Sequence, residues 1–304
     1  MDETPTDRPA AAPHPFPLAL LRSATGIGFV FSGGSARCAF QIGVIEALAE
    51  LGVRPSLCVA VSGGVWNAAA LAAGTAEKLR FYWRSFMRMP HVDLTNLARE
   101  HSPYRFSEMH RRAFRRYIGG ERLKRSSIPL LVGVSRLRDR SFRTFDARAF
   151  EDPLLPLLAS NYLPPFYTHA PRIEGERYGD GSLVDNLPYE VAFQSGCDAV
   201  VLVTQKGESE GLPYRNPRDP EHRIPGEHRD RVVVIRPRHR LPAAFTERRW
   251  PVLVQTMDLG RLRTREILLG ERHPETAVRH TGSRLVSLFS RLVMTRLLAL
   301  GAPR

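Results

Sequence analysis

Apolar residues fall into short unbroken runs, each followed by a stretch at helical spacing. Ile27 to Phe31 is one such run and ends in Ser32-Gly33-Gly34, which predicts a strand entering a tight turn. Phe40, Val44, Ile45, Leu48 and Leu51 then recur on one face of a helix over 37–51, with Gly52 placed to close it. Val53 to Val61 contains LCVAV, a second buried-type strand, which ends at Ser62-Gly63-Gly64 before the helical run VWNAAALAA. Strand, turn and helix repeated in this order predict parallel strands in an α/β sheet.

Further along, helices are expected around 77–87, 106–118, 149–163 (ending before Pro164-Pro165), 250–269 and 283–300. Strands are expected at Leu130–Val134, Asp198–Thr204 and Arg231–Ile235, and the alternating Ser141–Phe145 reads as a strand paired nearby. Residues 205–230 are polar and rich in Gly, Pro, Arg and Glu, hence a long loop. The expected organisation is a disordered N-terminal segment over 1–23, a three-layer α/β/α domain with a mostly parallel central sheet over 24–240, and C-terminal helices over 241–304. Those helices pack on the domain or on a membrane surface.

Composition narrows the class. The chain has 304 residues, 43% of them hydrophobic, enough for one large domain with a real core. Its 44 basic and 31 acidic residues give a net charge of +13, which favours polyanions or anionic lipid surfaces. Arg111, Arg112, Arg115 and Arg116 fall on one helical edge, and no interleaved aromatic motif marks a nucleic-acid module. Contact with nucleic acid is therefore not expected; the charge suits either peripheral contact with an anionic membrane or an ordinary solvated surface. The helix at 283–300 is amphipathic and suits either a core or an interface. No run reaches the about 18 apolar residues of a membrane span, and the apolar stretch Phe16–Leu21 is short and broken by Pro17. Cys38, Cys58 and Cys197 form no CxxC pair, so neither a disulfide framework nor a zinc site is expected; a reducing, cytoplasmic setting fits.

Three segments carry chemistry. In Ala60-Val61-Ser62-Gly63-Gly64, a serine stands on a sharp strand-to-helix turn, the geometry of a nucleophile elbow, with Ala60 where G-x-S-x-G has its first glycine. The following helix directs its positive N-terminal end toward the serine. In Ser32-Gly33-Gly34-Ser35-Ala36-Arg37, consecutive glycines let backbone amides converge as an anion-binding nest, and Arg37 can hold the loop or meet an anionic head group. Neither a phosphate loop nor a dinucleotide loop fits, since Arg37 precedes Cys38, and Ser35 and Cys38 stand where glycines belong. The third segment is Tyr178-Gly179-Asp180-Gly181-Ser182-Leu183-Val184-Asp185-Asn186-Leu187-Pro188, where Asp180 sits in a tight loop between glycines. Nothing around His169, His222, His228 or His239 marks a catalytic base.

Taken in order, these segments resemble the patatin-like phospholipase family. FSGGSARCAFQIGVIEAL is similar to its oxyanion loop and first helix, VAVSGGVWNAA to its nucleophile elbow, and GDGSLVDNLP to its catalytic aspartate loop; ASNYLPPFY at 159–167 is similar to the stretch before that loop. The resemblance covers roughly 25–204. It implies a Ser–Asp dyad in which Ser62 attacks an ester carbonyl and Asp180 takes its proton. The amides of Gly33, Gly34 and Ser35 would face the oxyanion, and no metal or other cofactor is implied. The implied substrate is a phospholipid, lysophospholipid or other acyl ester. The family usually has Gly where Ser35 and Cys38 stand. These departures, with Ala60, suit a second reading, a lipid-surface binding protein that keeps the fold without turnover. Acyl transfer to an acceptor other than water is a third.

Overall fold

The computed structural model describes residues 17–95, 103–164, 166–167, 169–210, 224 and 226–271. Its strands are β1 (Ile27–Phe31), β2 (Leu57–Val61), β3 (Leu130–Arg136), β4 (Phe142–Asp146), β5 (Arg172–Ile173), β6 (Glu176–Asp180), β7 (Ala199–Val203) and β8 (Val232–Ile235). Its helices are α1 (Pro17–Ser23), α2 (Ala39–Glu50), α3 (Gly64–Ala72), α4 (Leu79–Arg88), α5 (Phe106–Tyr117), α6 (Gly120–Lys124), α7 (Leu154–Ser160), α8 (Tyr189–Gln194), α9 (Gly226–Arg229) and α10 (Trp250–Leu269).

The strands form one eight-stranded sheet in the order β5-β6-β3-β2-β1-β7-β8, with β4 also paired to β3. The neighbours from β3 to β8 run parallel, while β4, β5 and β6 pair antiparallel. β1, β2 and β7 are buried at every position, which explains their unbroken apolar sequences. Alternate residues serve opposite layers. Phe29, Phe31, Cys58, Ala60, Val201 and Val203 pack with α2, α3 and α10. Val30, Leu57, Val59, Val200 and Leu202 pack with Tyr189 and Ala192 of α8. The fold is thus three-layered, with a mostly parallel central sheet.

α2 is buried almost all round, because α10 crosses its outer side. The crossing is close enough to exclude side chains at two points. A Cβ on Gly43 would lie 1.7 Å from the Met257 carbonyl oxygen, and one on Gly260 would lie 2.0 Å from that of Phe40. α2 ends as its sequence predicts: Gly52 has φ +73°, and the Val53 N–H returns to the Leu48 carbonyl at 2.9 Å.

Several expectations need correction. Within the segment 1–23, residues 17–23 are helical, and Leu18 and Leu21 bury themselves beside Leu268 and Leu269 of α10. The helix expected over 149–163 is confined to α7, because Ala147–Ala149 is a separate 3₁₀ turn and Asp152 Oδ1 caps the Leu154 N–H at 3.1 Å. Asp180 is the last residue of a strand rather than part of a loop. Within 205–230, Glu208–Glu210 forms a 3₁₀ turn and α9 a short helix, whereas 211–223 lies outside the described residues, as does the helix expected at 283–300. Arg111, Arg112, Arg115 and Arg116 are exposed along α5. Among the described residues, no helix is long and apolar enough to cross a membrane.

The α2–α10 crossing makes a stability prediction. Gly260→Ala should cost about 1–3 kcal/mol by forcing backbone apart, despite alanine's helix propensity. Gly26→Ala, whose added Cβ meets only ordinary contacts of 3.5 Å and longer, should be near neutral. Thermal unfolding followed by circular dichroism separates the two, and equal midpoints for both variants would contradict the packing argument.

Candidate active site

The turn from β2 into α3 holds Ser62 in the left-handed region, at φ +52°. Its small neighbours follow from close approach to the end of β1: a Cβ on Gly64 would lie 2.7 Å from the Ser32 carbonyl oxygen, and one on Gly63 would lie 3.1 Å from the Ser35 nitrogen. A non-glycine residue at such a φ costs about 1–3 kcal/mol unless its surroundings fix it. Here both of its backbone polar groups are held. The Ser62 N–H donates to Ser160 Oγ at 2.8 Å, and that hydroxyl donates to the Gly133 carbonyl at 2.6 Å. Asn161 Nδ2 donates to the Ser62 carbonyl at 3.1 Å, while Asn161 Oδ1 accepts from Trp66 Nε1 at 3.2 Å. Ser160 and Asn161 lie in the ASNYLPPFY segment, whose order along the chain was the signal available for them.

Strand register explains how Asp180 reaches a serine 118 residues away. β2 pairs with β3 as far as Val61↔Gly133, and β6 pairs with β3 from Val134↔Asp180 onward. Because β4 occupies the opposite edge of β3 through the same residues, β2 and β6 share one edge and meet end to end. Ser62 follows the last residue of β2, and Asp180 ends β6. The Ser62 hydroxyl donates to Asp180 Oδ2 at 2.7 Å. Asp180 Oδ1 accepts the Ser182 N–H at 2.9 Å, and the Asp180 carbonyl accepts from Ser135 Oγ at 2.7 Å. Gly181 must lack a side chain, since its Cβ would lie 2.3 Å from the Gly133 carbonyl oxygen. Asp180 is only 3% exposed. Burial raises its carboxyl pKa to about 6, against the opposing hydrogen bonds from Ser62 and Ser182.

The glycine loop flanks this pair unevenly. A Cβ on Gly33 would lie 2.5 Å from that of Ser62, so the loop passes directly against the serine. The Gly33 N–H, however, donates to Asn186 Oδ1 at 2.8 Å and is committed there. Among the described residues, the N–H groups of Gly34 and Ser35 have no acceptor. Ser35 lies at φ +51°, the strained conformation that a glycine would adopt freely. Arg37 does not line the cavity beside Ser62. Its Nε lies 3.5 Å from the Gly34 carbonyl and its guanidinium 5.9 Å from the Phe245 ring centroid, so it braces the loop. Cys38 fits without crowding: its thiol faces the Ser32 carbonyl at 3.7 Å and accepts from Gln205 Nε2 at 3.4 Å. Burial pushes that thiol's pKa far up, which leaves it inert.

A fully buried polar chain supports the loop from below. Gln41 Nε2 donates to the Ser32 carbonyl at 2.7 Å, Asn67 Nδ2 to Gln41 Oε1 at 2.8 Å, and Trp83 Nε1 to Asn67 Oδ1 at 2.8 Å. Each amide group is satisfied, as burial requires.

Ser62, Asp180, Asn161, Ser35 and Gly63 lie on the wall of a cavity of about 560 Å³. Much of the remaining wall is aromatic, from Trp66, Trp83, Phe86, Phe106 and Tyr167. Two histidines line it that the sequence reading did not single out. His110 stacks on Trp66 at 4.0 Å, and its Nδ1 pairs with the Tyr82 hydroxyl at 2.9 Å. His91 packs against Phe106 at 5.2 Å, and burial lowers its pKa to about 4. Neither hydrogen-bonds to Ser62 or Asp180, and both are neutral at physiological pH. A mainly apolar cavity ending at a hydroxyl–carboxylate pair can take an acyl chain and present its ester to the serine. Among the described residues, no three His, Cys, Asp or Glu side chains gather as a metal site.

No curated protein matches the chain. The solved structure titled "Crystal structure of VipD from Legionella pneumophila" superposes with a TM-score of 0.47 at 14% identity, covering 91% of this chain and 74% of that one. The family model for patatin-like phospholipase matches residues 29–193, more than half of the chain, and takes in the glycine loop, Ser62 and Asp180. The chain belongs to the patatin-like phospholipase family, and so to the lipid acyl hydrolases.

Proposed function

We propose that the protein hydrolyses acyl esters of lipids through Ser62 and Asp180, with a phospholipid, a lysophospholipid or another acyl ester drawn from an anionic membrane as substrate. The observation that carries this reading is the 2.7 Å hydrogen bond from a positive-φ serine to a buried carboxylate on the wall of an apolar cavity. Ser62 Oγ attacks the ester carbonyl while its proton passes to Asp180 Oδ2. The tetrahedral oxyanion is met by the amides of Gly34 and Ser35 and by the N-terminal end of α3. Asp180 then protonates the leaving alkoxide, and the acyl group stays on Ser62. Water attacks this acyl-enzyme and gives its proton to Asp180. Release of the fatty acid restores the Ser62 hydroxyl.

Asp180 is a poor base at its ordinary pKa. Desolvation raises the carboxyl toward the working pH and so narrows the gap to the serine proton. The Gly33 amide is withheld by Asn186, and one oxyanion donor is typically worth about 10²–10³ in rate. This commitment favours, as the second reading, a lipid-binding protein with weak or no turnover.

Hydrolysis of a medium-chain p-nitrophenyl ester tests the assignment. Wild type should turn over, and Ser62→Ala should lose roughly 10³-fold or more. Equal rates would remove Ser62 from the mechanism; a silent wild type, on soluble and micellar esters alike, would favour the binding protein. Acyl appearing on an added alcohol in place of free acid would indicate transfer.

The pH dependence has a definite sign. The base must be ionised, so the rate should rise with pH through about 6 and then level. For stability, the folded carboxyl titrates above its unfolded value of ~3.9. The stability that Asp180 itself contributes is therefore fully present below pH ~4 and is lost as pH rises through about 6. Asp180→Asn removes this penalty. It should abolish activity yet be more stable than wild type at pH 8, by on the order of 2 kcal/mol, with the gap closing by pH 4. Urea unfolding at both pH values measures this, and a destabilised Asp180→Asn at pH 8 would contradict the buried, raised carboxylate.

A further inference from the structure

The cavity wall at His91 and Val92 leads into an exposed rim. After α4 the chain forms an antiparallel bridge between Val92 and Tyr104, both on the cavity wall, flanked by Asp93 N–H to Pro103 carbonyl at 2.8 Å and Arg105 N–H to His91 carbonyl at 3.1 Å. Asp93 Oδ1 accepts the Thr95 N–H at 3.0 Å and the Thr95 hydroxyl at 2.6 Å, a turn with Leu94 at its tip. Val92 is 51% and Leu94 75% exposed, large apolar side chains held in solvent beside an acyl-sized cavity.

Charge at this rim is biased toward positive. Arg248 is exposed and lines the cavity, and its Nη2 reaches only the carbonyls of Met87 and Met89, both at 3.4 Å. Arg88, at the end of α4, is exposed as well. Among the described residues neither the Arg88 nor the Arg248 guanidinium has a carboxylate partner; Arg248 meets one only through its backbone N–H, which donates to Glu247 Oε1 at 3.0 Å. The nearby acids are already engaged: Asp93 and Glu108 with Arg105 at 3.5 and 2.6 Å, and the buried Glu247 with Arg249 at 2.7 Å.

We propose that this rim, with Val92 and Leu94 inserting and Arg88 and Arg248 meeting head-group phosphates, docks the cavity mouth onto an anionic lipid surface. The proposal rests on the acyl-ester reading of the cavity and adds where the interface sits. A docked rim joins the apolar cavity to the apolar layer of the membrane, so an acyl chain reaches Ser62 without crossing water. Apolar insertion and charge attraction act together in such binding. The net charge of +13 acts in the same direction at longer range.

The test is co-sedimentation of the full chain with vesicles of phosphatidylcholine alone and of 70:30 phosphatidylcholine:phosphatidylglycerol, in wild type and in Ser62→Ala. Both proteins should bind the anionic vesicles and bind the zwitterionic ones less. Leu94→Asn should weaken anionic binding roughly tenfold, and Leu94→Trp should restore it with a blue-shifted emission on vesicles. Arg88→Gln should weaken binding to the anionic vesicles only. Soluble p-nitrophenyl ester turnover should be unchanged in Leu94→Asn and Arg88→Gln, which also reports that they fold. Wild-type binding by Leu94→Asn, or no vesicle binding by wild type, overturns the proposal. So does a wild-type dimer in sedimentation velocity that Leu94→Asn dissociates, because the patch then serves a second copy. Vesicle binding does not require turnover. Loss of the esterase reading with binding intact, or the reverse, therefore shows which of the two has failed.

Discussion

Two strands that meet end to end on one edge of β3 bring the hydroxyl and the carboxylate together. β2 runs along that edge to Gly133, and β6 takes it over from the other direction at Val134. The 2.7 Å contact between Ser62 and Asp180 is thus a consequence of register. A slip of one residue in β6 would turn Asp180 to the opposite face. The glycines around the junction follow from the same crowding. Gly133 and Gly181 pass where a side chain on either would strike its neighbours, and Gly33 passes against Ser62.

The junction stores strain and holds it with hydrogen bonds. Ser62 and Ser35 both occupy the left-handed region. Ser160 and Asn161 clamp the first through its amide and carbonyl. The second rides on the buried chain from Trp83 through Asn67 and Gln41 to Ser32. Because those polar groups are satisfied, the loop can leave the Gly34 and Ser35 amides without an acceptor among the described residues, Ser35 on the cavity wall. The Asn186 contact removes Gly33 from that set, so under the proposed mechanism two loop amides rather than three remain for a developing oxyanion.

Much of the frame was legible in the sequence because buried parallel strands leave unbroken apolar runs. IGFVF, LCVAV and AVVLV are β1, β2 and β7 almost residue for residue. β6 was not legible. ERYGD is polar and contains glycine, and its place in the sheet comes from pairing with β3 rather than from a buried face at each position. Asp180 is singled out by the order of motifs, whereas its strand is not. Ser62 stands on a turn between strand and helix, and the Gly34 and Ser35 amides have no acceptor among the described residues. Arg37 and Gly33 have other partners, since a glycine-rich string specifies that a loop is tight but not where each amide points. His91 and His110 went unnoticed because each has only a local aromatic context, and the wall they share is assembled by α3, α4 and α5 packing together. Leu18 and Leu21 were likewise hidden, because two leucines form a stable turn only once α10 covers them.

Covalent trapping with a fluorophosphonate probe, followed by peptide mapping and by the rate of labelling across pH, tests the central claim most directly. A Ser62 activated by a buried Asp180 predicts one adduct, on Ser62, formed at a rate that climbs as pH rises through about 6. An adduct on another serine, or a labelling rate at Ser62 that does not change across that range, would contradict it.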